Sequence, residues 1–390
     1  MDGFVFPNEM NVTWTVMIVL YPYITGLVAG AFIVSSLYHV FGMKEIKTVS
    51  LFSLASAFVF LLFAPLPLLI HLGHPERAFN IMITPNFQSA MAAFGYVYAS
   101  YLIVVSLEIW FVLREDFIAR AKEGRGFVSL FCRMLMFNQL QITEETRKVD
   151  RKIIRFLAGL GIPMACLLHG YVGFLFGSLK ANPWWSTPLM FIIFLFSAIV
   201  SGISILIFHY TVVSRINRWK MDYVCIRALG RLLWAFMIVA VSLELLEVLS
   251  IAYKQTAEWE ILYELITRKL FWSYVVLQFS VFSLIPFMLL AISALFKLTD
   301  RVNHALVFTS ATMLLVQVLL MRWNVVIGGQ VISKSLRGFT SYWPGLMEKE
   351  GLITAAVIFT VPFFILYVFH CVVHLFPNVE KEESAPPVAS

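Results

Sequence analysis

Nine stretches of about 20 or more predominantly apolar residues run through this chain and limit its fold more than any other feature. They cover approximately 13–41, 48–72, 87–113, 153–179, 187–213, 227–250, 270–296, 303–326 and 351–376. A hydrocarbon core about 30 Å thick holds no water to bond a peptide group, so a chain crosses it as helix, which satisfies its own backbone. With 60% hydrophobic and 13% charged residues in 390, and a mean hydropathy of +0.84, no soluble domain remains. The expectation is an all-α, polytopic protein of about nine transmembrane helices, multi-pass in the cell membrane. The first run exceeds a signal-peptide core in length and no Lys or Arg precedes it, so it reads as a retained span.

Loop charge orients the bundle. Assigning connections alternately to the two sides puts 20 of the 29 Lys and Arg on one side and 8 on the other, with Arg322 inside a span. The positive-inside bias then predicts an outside N-terminus and a cytoplasmic C-terminus. A single membrane domain covers 1–376. Its longest connection, 114–152, contains the apolar piece FVSLFCRMLMF, too short to span. That piece is expected to be an amphipathic interfacial helix, against anionic lipid or a cytoplasmic partner. The tail 377–390 is polar, contains proline and is expected to be disordered. Gly26 with Gly30, and Gly173 with Gly177, are four apart, so each pair shares a face where helices can approach closely.

The net charge of +6 would suit nucleic acid in a soluble protein. Here it sits in loops, so the partner it implies is the membrane lipid and no nucleic acid is expected. Cys132, Cys166, Cys225 and Cys371 are scattered without a CxxC pair. Neither a zinc site nor an iron–sulfur cluster is encoded locally, and any cluster belongs to a partner.

Ionisable groups inside a span are expensive, so they mark function unless they reach the interface. Following helix direction, His71 ends the second span, Gln88 opens the third, and His169 and Tyr171 lie in the outer half of the fourth. Glu244 and Glu247 occupy the outer half of the sixth, Arg322 and Asn324 that of the eighth, and Tyr21 lies about a turn into the first. Six helices thus supply hydrogen-bonding or protonatable groups at one level near the outer face. That suits an amphiphile whose polar head exchanges protons while its tail stays in lipid, and a quinone is such a molecule. Its carbonyls need donors such as Tyr, His or Arg, and its reduction needs a proton acceptor such as His or Glu.

Each residue also has an ordinary explanation. His71 and Arg322 are within snorkelling reach of the interface, His169 beside Gly170 suits a helix–helix hydrogen bond, and Tyr21 and Tyr171 suit aromatic packing. Glu244 and Glu247 share one face, and one of them suits a polar helix contact. Only the cluster points to a site.

A second set, His39, His209, His304, His370 and His374, lies at inner helix ends. It offers a competing reading as ligands of b-type haem in a quinol dehydrogenase subunit. Interfacial placement beside basic loops is the simpler account, so no haem is expected. Glu108, deep toward the inside on the third span, suits an inward proton path or a snorkelling carboxylate. A secondary transporter is the other competing class; it calls for charges nearer the bilayer centre and interrupted helices repeated in both halves.

Several stretches resemble the NrfD/PsrC family of polysulfide-reductase-like membrane subunits. ITGLVAGAF (24–32) is similar to the small-residue motif of the family's opening helix. HLGHPERAFNIMITPNFQSAMAAFG (71–95) resembles its D/H-L-G-R-P-x-R segment followed by N-x-x-S-x-M-x-x-G. HGYVGFLFGSLKANPWWS (169–186) is similar to its Y-T-G-F-L-L segment. RWNVVIGGQ (322–330) resembles the penultimate helix of the DsrP/HmcC-type branch, the branch this chain resembles most.

The resemblance covers about 13–376. It implies a subunit that binds menaquinone or another quinone near the extracytoplasmic face, with no haem or iron–sulfur cluster of its own. Electrons would pass to or from a docked, extracytoplasmic ferredoxin-like iron–sulfur subunit. In a Dsr-type assembly of dissimilatory sulfur metabolism, further haem- and cluster-containing subunits are implied. By position the family's quinone-site tyrosine falls on Tyr171 and an outer arginine of its penultimate helix on Arg322, while His71 stands where many members have Asp. Two positions depart: Tyr21 stands where polysulfide reductases have His, and Met17 replaces a polar residue, so head-group contacts there differ. One helix fewer than in the larger members is also implied. On these grounds Tyr171 and His169 are expected to bond one quinone carbonyl, and Arg322 to stabilise negative charge on the head group. His71 with Glu244 or Glu247 would carry protons, and Asn324, Gln88 and Tyr21 complete the binding set.

Overall fold

The computed structural model describes residues 2–373, 375 and 376, apart from Phe87, Arg125 and Thr256. The expected disordered tail 377–390 and His374 lie outside the described residues. In chain order the helices are α1 (Val16–His39), α2 (Lys47–Phe63), α3 (Leu66–His71), α4 (Asn80–Ile83), α5 (Ala90–Val112), α6 (Arg114–Lys122) and α7 (Phe127–Leu135). Then come α8 (Glu144–Gly177), α9 (Met190–Ile216), α10 (Tyr223–Lys254), α11 (Trp259–Glu264), α12 (Ile285–Leu295), α13 (Asp300–Val331) and α14 (Leu352–Val372). Two π-helical stretches, Leu265–Lys269 and Phe271–Leu284, precede α12. The strands β1 (Asp2–Phe4) and β2 (Arg337–Phe339) pair antiparallel.

Among the described residues nine helical segments are long and apolar enough to cross a membrane, as expected. They are α1, α2 with α3, α5, α8, α9, α10, the second π stretch with α12, α13 and α14. Their ends depart from the apolar runs for local reasons. α8 starts at Glu144 rather than 153 because Thr143 accepts from the Thr146 N–H at 3.2 Å and two glutamates face the positive end of the helix dipole. Asp222 caps α10 likewise, accepting from the Val224 and Cys225 N–H groups at 3.0 and 3.1 Å. The second span breaks between α2 and α3, where Pro65 and Pro67 remove backbone donors.

α1 is the axis of the bundle: 94% of its most apolar part is buried, under α2, α8, α9 and α13. It crosses α9 where Gly30 meets Gly202. A Cβ on Gly202 would fall on the Gly30 backbone, and one on Gly30 would strike the Ala198 carbonyl and Gly202. In lipid, helices associate through such backbone approach, because lipid tails are as apolar as leucine.

At one end of the bundle α6 and α7 form a hairpin. Ser129 Oγ donates to the Ala121 carbonyl at 3.0 Å, while Phe127 and Met134 on α7 stand 82% and 69% exposed. Arg120 Nε donates to the Val372 carbonyl at 3.0 Å, tying this open apolar face to the level where α14 ends.

Candidate functional site

α13 organises the polar interior. Its Arg322 is wholly enclosed, the bulkiest such side chain among the described residues. The guanidinium lies 3.8 Å from the centre of the Phe194 ring. Nη2 donates to His169 Nε2 at 3.0 Å, Ser197 Oγ at 2.7 Å and the Phe194 carbonyl at 3.3 Å. Among the described residues no carboxylate lies within ion-pair distance of it. A guanidinium has no lone pair to offer, so His169 accepts through Nε2 and carries its proton on Nδ1. That Nδ1 is buried and finds no acceptor in the chain. Enclosing a charge without a counter-ion costs several kcal/mol, so its presence marks function rather than stability.

A second network begins two residues further on. Asn324 Nδ2 donates to Gln278 Oε1 at 2.8 Å, Gln278 Nε2 donates to Glu244 Oε2 at 2.8 Å, and Ser273 Oγ donates to Asn324 Oδ1 at 2.7 Å. Trp184 and Trp185, in the loop after α8, clamp the same turn of α13: their indole N–H groups donate to the Asn324 and Val325 carbonyls at 3.0 and 2.6 Å. The sequence suggested that Gly328 and Gly329 open the helix end to a ligand. Instead α13 continues to Val331, and Trp184, Leu270 and Trp185 cover the two glycines.

Glu244 and Glu247 each leave Oε1 buried without a partner. Both line a crevice of about 380 Å³ with Trp184, Tyr274, Gln278 and Met321. It is tight, with free room for about one water-sized group.

The expected site residues therefore separate. Arg322, His169, Asn324, Glu244 and Glu247 meet in this interior; the other four do not line it. Tyr171 is two residues from His169, about 200° round the helix, so the two cannot serve one carbonyl together. Its hydroxyl donates to the Ala90 carbonyl at 2.8 Å and its ring lies 5.9 Å from that of Phe94. Tyr21 packs on Phe94 at 6.1 Å, with its hydroxyl buried and unpartnered. Gln88 is exposed in the turn before α5 rather than inside a span. Neither Arg322 nor Glu108 snorkels: both are 0% exposed, and neither Glu108 oxygen has a partner. Of the inner histidines, His209 packs 4.8 Å from the Phe363 ring and His304 Nε2 bonds Thr211 Oγ1 at 3.0 Å. Among the described residues no three His, Cys, Asp or Glu side chains converge on a metal-binding arrangement.

His71 closes a separate cluster, where Glu350 Oε2 accepts from His71 Nδ1 at 2.8 Å and from Thr15 Oγ1 at 2.5 Å. Partial burial pushes the Glu350 carboxyl up, but the hydrogen bonds from Thr15 and His71 and the nearby positive charge outweigh it and hold it below the usual 4.5. A lowered folded value stabilises the protein above the unfolded value, and that stabilisation is lost as pH falls through the folded one. In thermal melts, wild type should therefore exceed Glu350→Gln near neutrality, and the gap should close on acidification below about pH 4.5. A gap independent of pH would show that the carboxylate charge is not what holds the cluster.

Gln278, Ser273, Ser197, Trp184 and Glu350 were not singled out from sequence. Gln278 carried a usable signal, a lone amide in an apolar run; Ser197 did not, because serine is common in spans.

An all-helical bundle that gathers an arginine, a histidine, amides and two carboxylates in its interior belongs to the class of multi-pass integral membrane proteins with an intramembrane polar site. Within that class the chain belongs to the polysulphide reductase, NrfD family, whose profile matches residues 5–334. It is similar to a membrane-complex component of the selenate reductase of Mesobacillus selenatarsenatis, 37% identical over 204 residues, which covers 51% of this chain and 48% of that one. It is also similar to the Hdr-like menaquinol oxidoreductase integral membrane subunit of Archaeoglobus fulgidus, 23% identical over 229 residues, covering 59% of this chain and 49% of that one. Protein NrfD of Escherichia coli is 25% identical over 150 residues, covering 38% and 43%. The chain spans about half the length of the curated relatives it matches.

Proposed function

We propose that this chain is the quinone-exchanging membrane subunit of a respiratory oxidoreductase complex. It moves electrons between menaquinone or menaquinol and an extracytoplasmic, ferredoxin-like iron–sulfur subunit. Glu244 and Glu247 carry the proposal: their unpartnered, buried oxygens line one crevice beside an enclosed arginine that has no carboxylate partner. Family membership supports it, as NrfD proteins are membrane subunits of quinone-linked complexes, and so does the menaquinol named for the Archaeoglobus relative.

These residues fit a quinone head group, which when bound supplies two-electron, two-proton redox chemistry. His169 offers Nδ1–H as a fixed donor. Glu244 and Glu247 hold or release protons at Oε1, and Arg322 favours negative charge in a low-dielectric interior. Trp184 and Tyr274 add flat apolar surface. Admitting a ring to so tight a crevice requires side chains such as Met321 to shift, and methionine is well suited to that. The electrons continue to a cluster held by the partner, in an assembly of Dsr type with further haem- and cluster-containing subunits.

The test is substitution in the intact complex. In Glu244→Gln an amide oxygen still accepts from Gln278, but no proton can be carried at the crevice side. Quinol-dependent turnover is expected to fall at least about 100-fold with assembly unchanged, and Glu247→Gln to fall less. Normal turnover in both variants removes the site.

A further inference from the structure

We infer that Gln278 is a positioning residue that decides which oxygen of Glu244 carries the transferable proton, a deepening that rests on the function proposed above. The network around Glu244 has a direction. An ionised carboxylate has nothing to donate, so the atom 2.8 Å from Oε2 is the Gln278 NH2 group. Gln278 therefore turns its oxygen to Asn324, which donates through Nδ2 at 2.8 Å and turns Oδ1 to the Ser273 hydroxyl at 2.7 Å. Ser273 gives its single proton here rather than to the Leu270 carbonyl at 3.4 Å. Flipping either amide would set oxygen against oxygen or NH2 against NH2, so each assignment enforces the next. Donation runs from Ser273 through Asn324 and Gln278 onto Glu244 Oε2. A proton on Oε2 would meet the Gln278 NH2 group head-on. It is carried instead on Oε1, which has no partner in the chain and lines the crevice with Glu247.

The π-helical stretch has its explanation here. Residues five apart on an α-helix lie about 140° apart round the axis. The wider π turn, which bonds i to i+5, brings Ser273 and Gln278 to one side, where both reach Asn324. Ser280 and Ser283 show the same spacing, donating to the Val275 and Gln278 carbonyls at 2.9 and 2.8 Å. The Trp184 indole holds the Asn324 carbonyl in place.

The pH profile of quinol-dependent turnover in the intact complex tests the relay. The charged and titratable groups around Glu244 are Glu247 on its own helix, Tyr274 on the π stretch and Arg322 on α13, and none is altered. Gln278→Glu keeps shape and size but faces Oε2 with an acceptor; Gln278→Leu removes the donor. Both should displace the profile toward higher pH by about one unit or more, since a lost hydrogen bond no longer favours the carboxylate. A purely packing role predicts a wild-type profile for Gln278→Glu. If neither Gln278 variant assembles, Ser273→Ala decides: a smaller displacement in the same direction supports the relay, and an unmoved profile overturns it. Glu244→Gln, measured alongside, separates the two levels. Full activity in Glu244→Gln removes the functional proposal itself. Inactivity there with unmoved profiles in the Gln278 variants removes only the relay.

Discussion

Arg322→Met should cut quinol-dependent turnover at least about 100-fold while the chain melts no lower than wild type. Methionine keeps most of the stem and removes the charge. Ser197 Oγ retains a partner, since it already donates to the Phe194 carbonyl at 2.9 Å. His169 Nε2 loses its donor, a penalty of about 1–3 kcal/mol. Against this stands the relief of an enclosed guanidinium with no carboxylate beside it, worth several kcal/mol. Stability is therefore held or raised, while the positive field at the crevice is gone. Arg322→Lys should fall between, because one ammonium cannot serve His169, Ser197 and the Phe194 face together. Turnover per folded molecule and a melting curve of the purified chain in nanodiscs give both readings. A variant that melts lower but turns over normally would make the arginine structural.

The second large effect concerns assembly. Gly202→Val should cost at least about 3 kcal/mol and leave little folded protein. The new side chain falls on the Gly30 backbone, which has no rotamer to give, so α1 and α9 must separate. The displacement reaches the polar interior, because Gly26, one turn from Gly30, is packed against His169, where an added Cβ would meet Cε1 at 3.3 Å. Gly159→Ala on α8 is the control: no atom lies within 4 Å of its added methyl, and it should be neutral or stabilising by up to about 1 kcal/mol. Retention in detergent size-exclusion chromatography distinguishes the two. A well-behaved Gly202→Val would mean that α1 and α9 can part without consequence.

The spans were legible because an apolar run long enough to cross lipid has few other fates, and their number survives errors at the ends. The ends were not, since Thr143 and Asp222 extend helices into polar sequence by capping, which hydropathy does not register. Of the site, Arg322, Asn324, His169 and the two glutamates were legible as polar groups in apolar surroundings at one depth. Depth alone could not assign azimuth. Tyr171 shares the level of His169 but points to another helix, and His71 shares it too while bonding Glu350, 279 residues away in the chain. Gln278 escaped notice because its role depends on a π turn that no apolar period announces.

The enclosure of α1 has a consequence for how the protein is made. The first span to leave the ribosome is the one most completely covered in the end, and two of its main neighbours, α9 and α13, are synthesised long after it. α1 therefore enters the membrane as a lone helix facing lipid on every side. Its uniformly apolar surface, with hydroxyls such as Thr25 and Ser36 bonded back to its own carbonyls at 3.0 Å, lets it wait there. The polar interior closes only when α13 brings Arg322 and Asn324. The most expensive group in the bundle thus arrives after the helices bearing His169, Ser197 and Glu244 are already in place to receive it.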